Sequence, residues 1–148
     1  MQTQLIKIPG YLDRLIPLEE VSYLLGDGAY TKVVFLDSSW LLCSANLMYF
    51  EKQQLATLIR CHKSSMVVLT SVEEYIISEH YTTDNNQMRE IKLIMPDRTI
   101  IPISRRNEYE VSTACKEFKI PIGFDFDTNL LMTKERLLNL TQPIDWLM

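Results

Sequence analysis

Two segments concentrate the side chains that could do chemistry: Arg60-Cys61-His62-Lys63-Ser64-Ser65-Met66-Val67-Val68 and, further along, Ser104-Arg105-Arg106-Asn107. Each sets cations and small hydrogen-bonding groups at the edge of an apolar run. That arrangement suits non-covalent recognition of a nucleic acid, because cations grip phosphates while Lys, Arg, Ser and Asn reach base edges when a rigid strand or helix end carries them. Neither segment reads as a catalytic centre. The chain has no Gly-rich phosphate loop, paired catalytic carboxylates or Ser/His/Asp arrangement, so the expectation is a protein that is not an enzyme and needs no cofactor.

Lys63 and Ser64 follow His62, so a strand end there presents an ammonium and a hydroxyl to a phosphate or to guanine O6/N7. The bland alternative is a solvated lysine in a turn. Arg105, Arg106 and Asn107 precede a predicted helix start, where guanidinium groups and unpaired backbone N–H donors favour an anion. Here the bland alternative is surface pairing with Glu108 and Glu110, contributing at most ~1 kcal/mol. The reading adopted gives Arg106 to DNA and shares Arg105 between phosphate and the local carboxylates. His62 reads as a hydrogen-bonded structural residue, and Cys61 as a buried small hydrophobe, with a thiol sensor as a third reading that needs an accessible thiol of lowered pKa.

The elements that position these residues fit in one domain. The chain has 148 residues, 47% hydrophobic and 23% charged, with four Gly and six Pro, which is a globular composition with room for one core. No apolar run approaches membrane-span length, and the start Met1-Gln2-Thr3-Gln4 lacks a secretory signal pattern. Three cysteines, Cys43, Cys61 and Cys115, show no paired spacing, against both a disulfide framework and a zinc module. The expected location is the cytoplasm, with no membrane partner. A net charge of −4 and a pI of 5.2 oppose a nucleic-acid reading unless the cations are gathered on one face.

Through residue 44 the pattern is strand-like, with Val21 to Leu25, Tyr30 to Leu36 and Trp40 to Cys43 separated by Gly26-Asp27-Gly28 and Asp37-Ser38-Ser39, which reads as an antiparallel meander. Leu47, Phe50, Leu55 and Leu58 predict a short helix over Asn46 to Leu58. Strands are predicted at Met66 to Leu69 and Val72 to Ser78, an exposed loop at His80 to Gln87, and a hairpin of Glu90 to Met95 with Arg98 to Ile103 about Pro96-Asp97. Asn107 stands three before Glu110, a capping-box pattern, and Val111, Cys115 and Phe118 follow at i, i+4 and i+7, predicting a second helix that stops before Pro121. Acidic, alternating Phe124-Asp125-Phe126-Asp127, Leu-rich Leu130 to Leu140, then Pro143 and Trp146 read as an appendage.

In this order the motifs resemble the LytTR-type DNA-binding domain, the output module of many bacterial response regulators. The resemblance is carried by Ile16-Pro17-Leu18-Glu19-Glu20-Val21, Gly26-Asp27-Gly28-Ala29-Tyr30, Asn46-Leu47 with Phe50-Glu51, Arg60-Cys61-His62-Lys63-Ser64-Ser65, and Ile101-Pro102-Ile103-Ser104-Arg105-Arg106. Carried by roughly residues 14 to 111, it implies a mainly β, antiparallel fold with a short helix; the domain is placed at residues 1–111, and the appendage read above makes a partly helical C-terminal extension at residues 112–148, packing on the domain or mediating oligomerisation. The resemblance further implies loops that enter successive major grooves of a bent duplex, with contacts at Tyr30, Lys63 and Arg106. The first of these positions is commonly polar or basic in the family, so tyrosine departs from the pattern. Lys32, one strand step beyond Tyr30, shares its face. Few residues precede the match, so the expectation is a bacterial, two-component-related transcription regulator without a built-in receiver.

The partner expected is double-stranded DNA; the C-terminal extension packs on its own domain in the bland reading and, in the sharper one, pairs two copies of the chain or docks on a separate signalling protein. The alternative keeps the fold but makes it a protein-interaction module that binds a partner regulator without touching DNA, a reading supported by the net charge of −4.

Overall fold

The computed structural model of the chain describes residues 4–10, 14–81, 84 and 86–126. Its strands are β1 (Leu5–Ile8), β2 (Arg14–Pro17), β3 (Val21–Asp27), β4 (Tyr30–Phe35), β5 (Trp40–Cys43), β6 (Leu58–His62), β7 (Ser65–Val68), β8 (Glu74–Tyr81), β9 (Gln87–Ile94), β10 (Ile100–Ile103) and β11 (Ile122–Phe126). Two α-helices, α1 (Leu47–Glu51) and α2 (Glu108–Glu117), interrupt them. The strands form a β1-β2 hairpin, a five-stranded sheet ordered β5-β4-β3-β7-β6, and a four-stranded sheet ordered β10-β9-β8-β11. Pairing is antiparallel except between β8 and β11, which run parallel. The fold is therefore mainly antiparallel β with short helices.

The five-stranded sheet buries both faces, which explains why all four residues of β7 are buried. Side chains alternate across a strand, so Leu24, Val33, Leu58, Met66 and Val68 join one apolar cluster with Ile6, Ile8, Leu47 and Phe50. Their neighbours Tyr23, Val34, Ile59, Cys61 and Val67 join a second cluster with Ile91, Leu93, Ile101, Val111 and Cys115. The β1-β2 hairpin and α1 thus cover one face, while the four-stranded sheet and α2 cover the other. Burying each such side chain contributes roughly 1.5–3 kcal/mol.

Several local expectations are corrected by this packing. Helix α1 stops at Glu51, and Gln54, with φ of 53°, turns the chain so that Leu58 opens β6 instead of continuing a helical stripe. The polar stretch is shorter than expected: β8 runs through Tyr81 and β9 starts at Gln87, so His80 lies in a strand. Helix α2 ends as expected before Pro121, through Lys119 at φ of 55° and an Ile120 N–H donated to the Cys115 carbonyl at 3.0 Å. Val111 and Cys115 are buried, but Phe118 lies beyond the helix and is 42% exposed. Residues 112–126 hold most of α2 and all of β11; the Leu130 to Leu140 segment and Trp146 lie outside the described residues.

Candidate nucleic-acid interface

Three chain turns meet at one end of the five-stranded sheet: the β3–β4 turn, the β6–β7 turn and the loop after β10. Backbone hydrogen bonds fasten them together. The Gly26 N–H donates to the Ser64 carbonyl at 2.9 Å, and the Ser104 N–H donates to the Cys61 carbonyl at 2.9 Å. Gly26 is required where α1 approaches β3, since a Cβ there would lie 2.9 Å from Leu47 Cγ.

The β6–β7 turn, which carries Lys63, is clamped by Arg60. Its Nε donates to the His62 carbonyl at 2.7 Å and its Nη2 to the Lys63 carbonyl at 2.6 Å, while Nη1 lies 3.3 Å from Glu51 Oε1 on α1. A planar fork with fixed donors suits this task where a lysine would not. The Ser64 N–H donates to His62 Nδ1 at 3.3 Å, and Ser64 Oγ lies 3.1 Å from the same nitrogen. Both contacts tie the imidazole to the turn that follows it. His62 is thus a structural partner of the turn.

Asn107 works differently from expectation. Its side chain makes no capping bond to α2; Nδ2 donates instead to the Arg60 carbonyl at 3.1 Å, across the two candidate segments. A 3-10 turn over Arg105–Asn107 precedes the helix and takes up the entry geometry a capping box would have set.

An open groove of about 510 Å³ lies over this junction, lined by Met48, Glu51, Arg60, Lys63, Arg106 and Asn107 among others. A smaller hollow beside it, reached by Gly28, Asn46, Lys63 and Ser64, extends toward the β3–β4 turn. The structure therefore brings Lys63, Ser64, Arg106 and Asn107 together. Tyr30 and Lys32 line neither hollow. Tyr30 is 51% exposed at the start of β4, and Lys32 Nζ sits 4.7 Å from the Trp40 ring centroid, a cation–π contact on β5. Arg105 turns into a separate groove with Arg89, Lys92 and Glu108. Among the described residues no carboxylate lies within 4 Å of Arg105 or Arg106; Glu108 pairs with Arg89 Nη2 at 4.0 Å. The expected sharing of Arg105 with local carboxylates is therefore not formed.

Two contributors escape a reading of site residues from sequence. Arg60 stands out there only as one more cation, because its role depends on backbone carbonyls two and three residues on. Met48, 53% exposed on α1, adds an apolar side chain to the lining of the groove. Cys61 fails as a thiol sensor: it is fully buried, and burial pushes its thiol well above the usual range. Among the described residues no group of three His, Cys, Asp or Glu is placed to hold a metal ion, and no helix is long and apolar enough to cross a membrane.

Fold and site together define a class: an antiparallel β domain with loop-borne cations gathered at one end. Within that class, a family model for the LytTr DNA-binding domain matches residues 13–116, and the chain belongs to the LytTR family. The solved LytTr DNA-binding domain of a putative methyl-accepting/DNA response regulator from Bacillus cereus is similar in fold, with a TM-score of 0.54 at 17% identity over 77% of this chain and 97% of that one. No curated protein matches significantly. The chain thus carries a DNA-binding domain of regulatory type, from a family defined by DNA binding and not by catalysis.

Proposed function

We propose that this chain is a cytoplasmic, sequence-specific transcription regulator whose turns enter successive major grooves of a bent duplex. The observation that supports it best is the convergence of Lys63, Arg106 and Asn107, from segments far apart in sequence, on one groove held by the Arg60 fork, with Ser64 in the hollow beside it. Lys63 and Arg106 supply the main base and phosphate contacts. Ser64, Asn107 and Arg105 position the duplex, with Tyr30 and Lys32 at its margin. Bending adds specificity at bases the protein never touches. Pairing of two copies through the C-terminal extension would set two half-sites about one helical turn (~34 Å) apart, and a separate signalling protein supplies the input.

The test is selection of bound sequences from a random duplex pool by the whole chain at ~150 mM salt, then titration of the winner across salt concentrations. Enrichment of a repeated motif with a clear salt slope is expected. A folded protein that enriches nothing would overturn this reading in favour of the protein-interaction module that the net charge of −4 suggests.

A further inference from the structure

The groove that takes Arg105 is a second cationic surface. It lies along β9 and β10 and is lined by Arg89, Lys92, Arg105, Glu90 and Glu108, with His62 and Ser104 forming a wall it shares with the groove over Lys63 and Arg106. The two grooves have the same electrostatic plan. One sets Arg60, Lys63 and Arg106 against Glu51 and Glu110; the other sets Arg89, Lys92 and Arg105 against Glu90 and Glu108. Of the chain's 15 Lys/Arg and 19 Asp/Glu, six and four line these two grooves, leaving nine and fifteen elsewhere. Each groove is net positive on a chain that is otherwise strongly acidic, so the cations are gathered by position.

We infer that Arg89, Lys92 and Arg105 form a second phosphate-binding track, which engages the DNA backbone on the far side of the His62–Ser104 wall and is occupied in the free protein by Glu108 and Glu90. The inference rests on the DNA-binding reading above. Neither β9 cation is committed to its carboxylate. Arg89 Nη2 stands 4.0 Å from Glu108 Oε2 with its side chain 56% exposed, and Lys92 Nζ stands 3.8 Å from Glu90 Oε2. Long pairs of this kind, each with one exposed and one partly exposed partner, contribute little, so a phosphate, which accepts a bidentate guanidinium bond, displaces the carboxylate readily. Regular pairing between β9 and β10, with Lys92 opposite Pro102 and Ile91 opposite Ile103, sends Lys92 out on one face, while Arg89, on the face of Ile91, lies past the last β10 pair, so the track passes round this edge of the sheet. The neighbouring Arg105 and Arg106 turn into different grooves, which lets a single loop touch two backbone segments.

The test uses the whole chain and duplex DNA of mixed sequence, where binding reports backbone contacts alone. Arg89→Gln with Lys92→Gln is expected to lower the slope of log K against log salt by about two units, and Glu108→Gln alone to raise affinity severalfold. Circular dichroism checks that the variants are folded. If the double variant keeps the parent slope while Lys63→Ala with Arg106→Ala reduces it, the second track is refuted and the DNA-binding reading stands. If the parent chain binds neither mixed-sequence nor selected duplexes, the DNA-binding reading falls and the track falls with it.

Discussion

Arg60 holds Lys63 by its own backbone: Nη2 donates to the Lys63 carbonyl at 2.6 Å, while Nε donates to the His62 carbonyl at 2.7 Å. The residue proposed as the leading DNA contact is thus held by a guanidinium in the same hairpin. Arg60→Lys keeps the charge but cannot span both carbonyls. Losing one or two charge-assisted hydrogen bonds, each worth about 1.5–3 kcal/mol, should loosen the turn. The expected outcome is DNA affinity weakened about tenfold or more, with faster amide exchange at Ser64 and Ser65. Unchanged affinity with an intact fold would show that Lys63 does not depend on the clamp.

Lys63→Ala and Arg106→Ala separate the two ways a cation can serve the proposed interface. Both side chains are exposed at the groove, so neither change should unfold the domain. Where the side chain reads a base, its removal should relax preference at one position and cost ~1–3 kcal/mol; where it grips a phosphate, removal should weaken all sequences alike and reduce the salt slope by about one unit. Titrating each variant against the selected duplex and single-position mutants of it assigns the roles. Parent-like binding by both would remove these residues from the site.

Tyr23 ties the two sheets together, its hydroxyl donating to Asp97 Oδ2 at 2.7 Å and lying 2.9 Å from Thr99 Oγ1 in the β9–β10 turn. Burial alone would raise the Asp97 carboxyl, but hydrogen bonds from Tyr23 and Thr99 outweigh it and hold the carboxyl below its ordinary value. A carboxyl depressed on folding contributes stability above its unfolded-state pKa and loses it as pH falls through the folded-state value. Tyr23→Phe should therefore lower stability by about 1 kcal/mol near neutrality and make acid unfolding less steep below the usual carboxylate range. Denaturant titrations of both forms at neutral and acid pH give the comparison; equal acid dependence would disprove the coupling.

Cys43, Cys61 and Cys115 are all buried, and burial raises each thiol, Cys115 to about 11. The reactive species is the thiolate, so a thiol reagent should label the native protein only as fast as it opens, and adding denaturant should accelerate all three together. Rapid labelling of Cys61 in the native state would restore the redox reading.

How much of this is legible in the sequence follows from how local each feature is. Strands β3, β4 and β5 can be read because β-branched and aromatic residues alternate between short turns. Leu58 is misplaced by periodicity because Leu47, Leu55 and Leu58 match a helical period, while the left-handed Gln54 that resets the chain leaves no residue-type signal. Strand β11 escapes because its partner β8 is distant in sequence and parallel. Lys63 and Arg106 announce themselves by type and position. The clamp by Arg60 and the Asn107 bond to its carbonyl depend on a bulge in β6–β7 pairing and on the docking of two remote segments. Lys92 leaves a usable signal: Ile91 and Leu93 alternate around it as buried neighbours, which in a strand points the lysine outward.

The C-terminal extension is tested by where the chain is cut. Because β11 pairs with β8 from Ile122 opposite Tyr75 to Phe126 opposite Glu79, removing residues 121–148 takes away a strand of the four-stranded sheet along with the segment proposed to pair two copies. Removal of residues 127–148 alone keeps that strand. If the segment after residue 126 pairs two copies, the shorter deletion should leave the β signal and midpoint of unfolding near those of the full chain while halving the mass seen by light scattering and weakening binding to a two-half-site duplex more than to a single half-site. Loss of the cooperative unfolding transition on the same deletion would instead show that the segment packs on its own domain, and an unchanged mass would rule out its role in pairing.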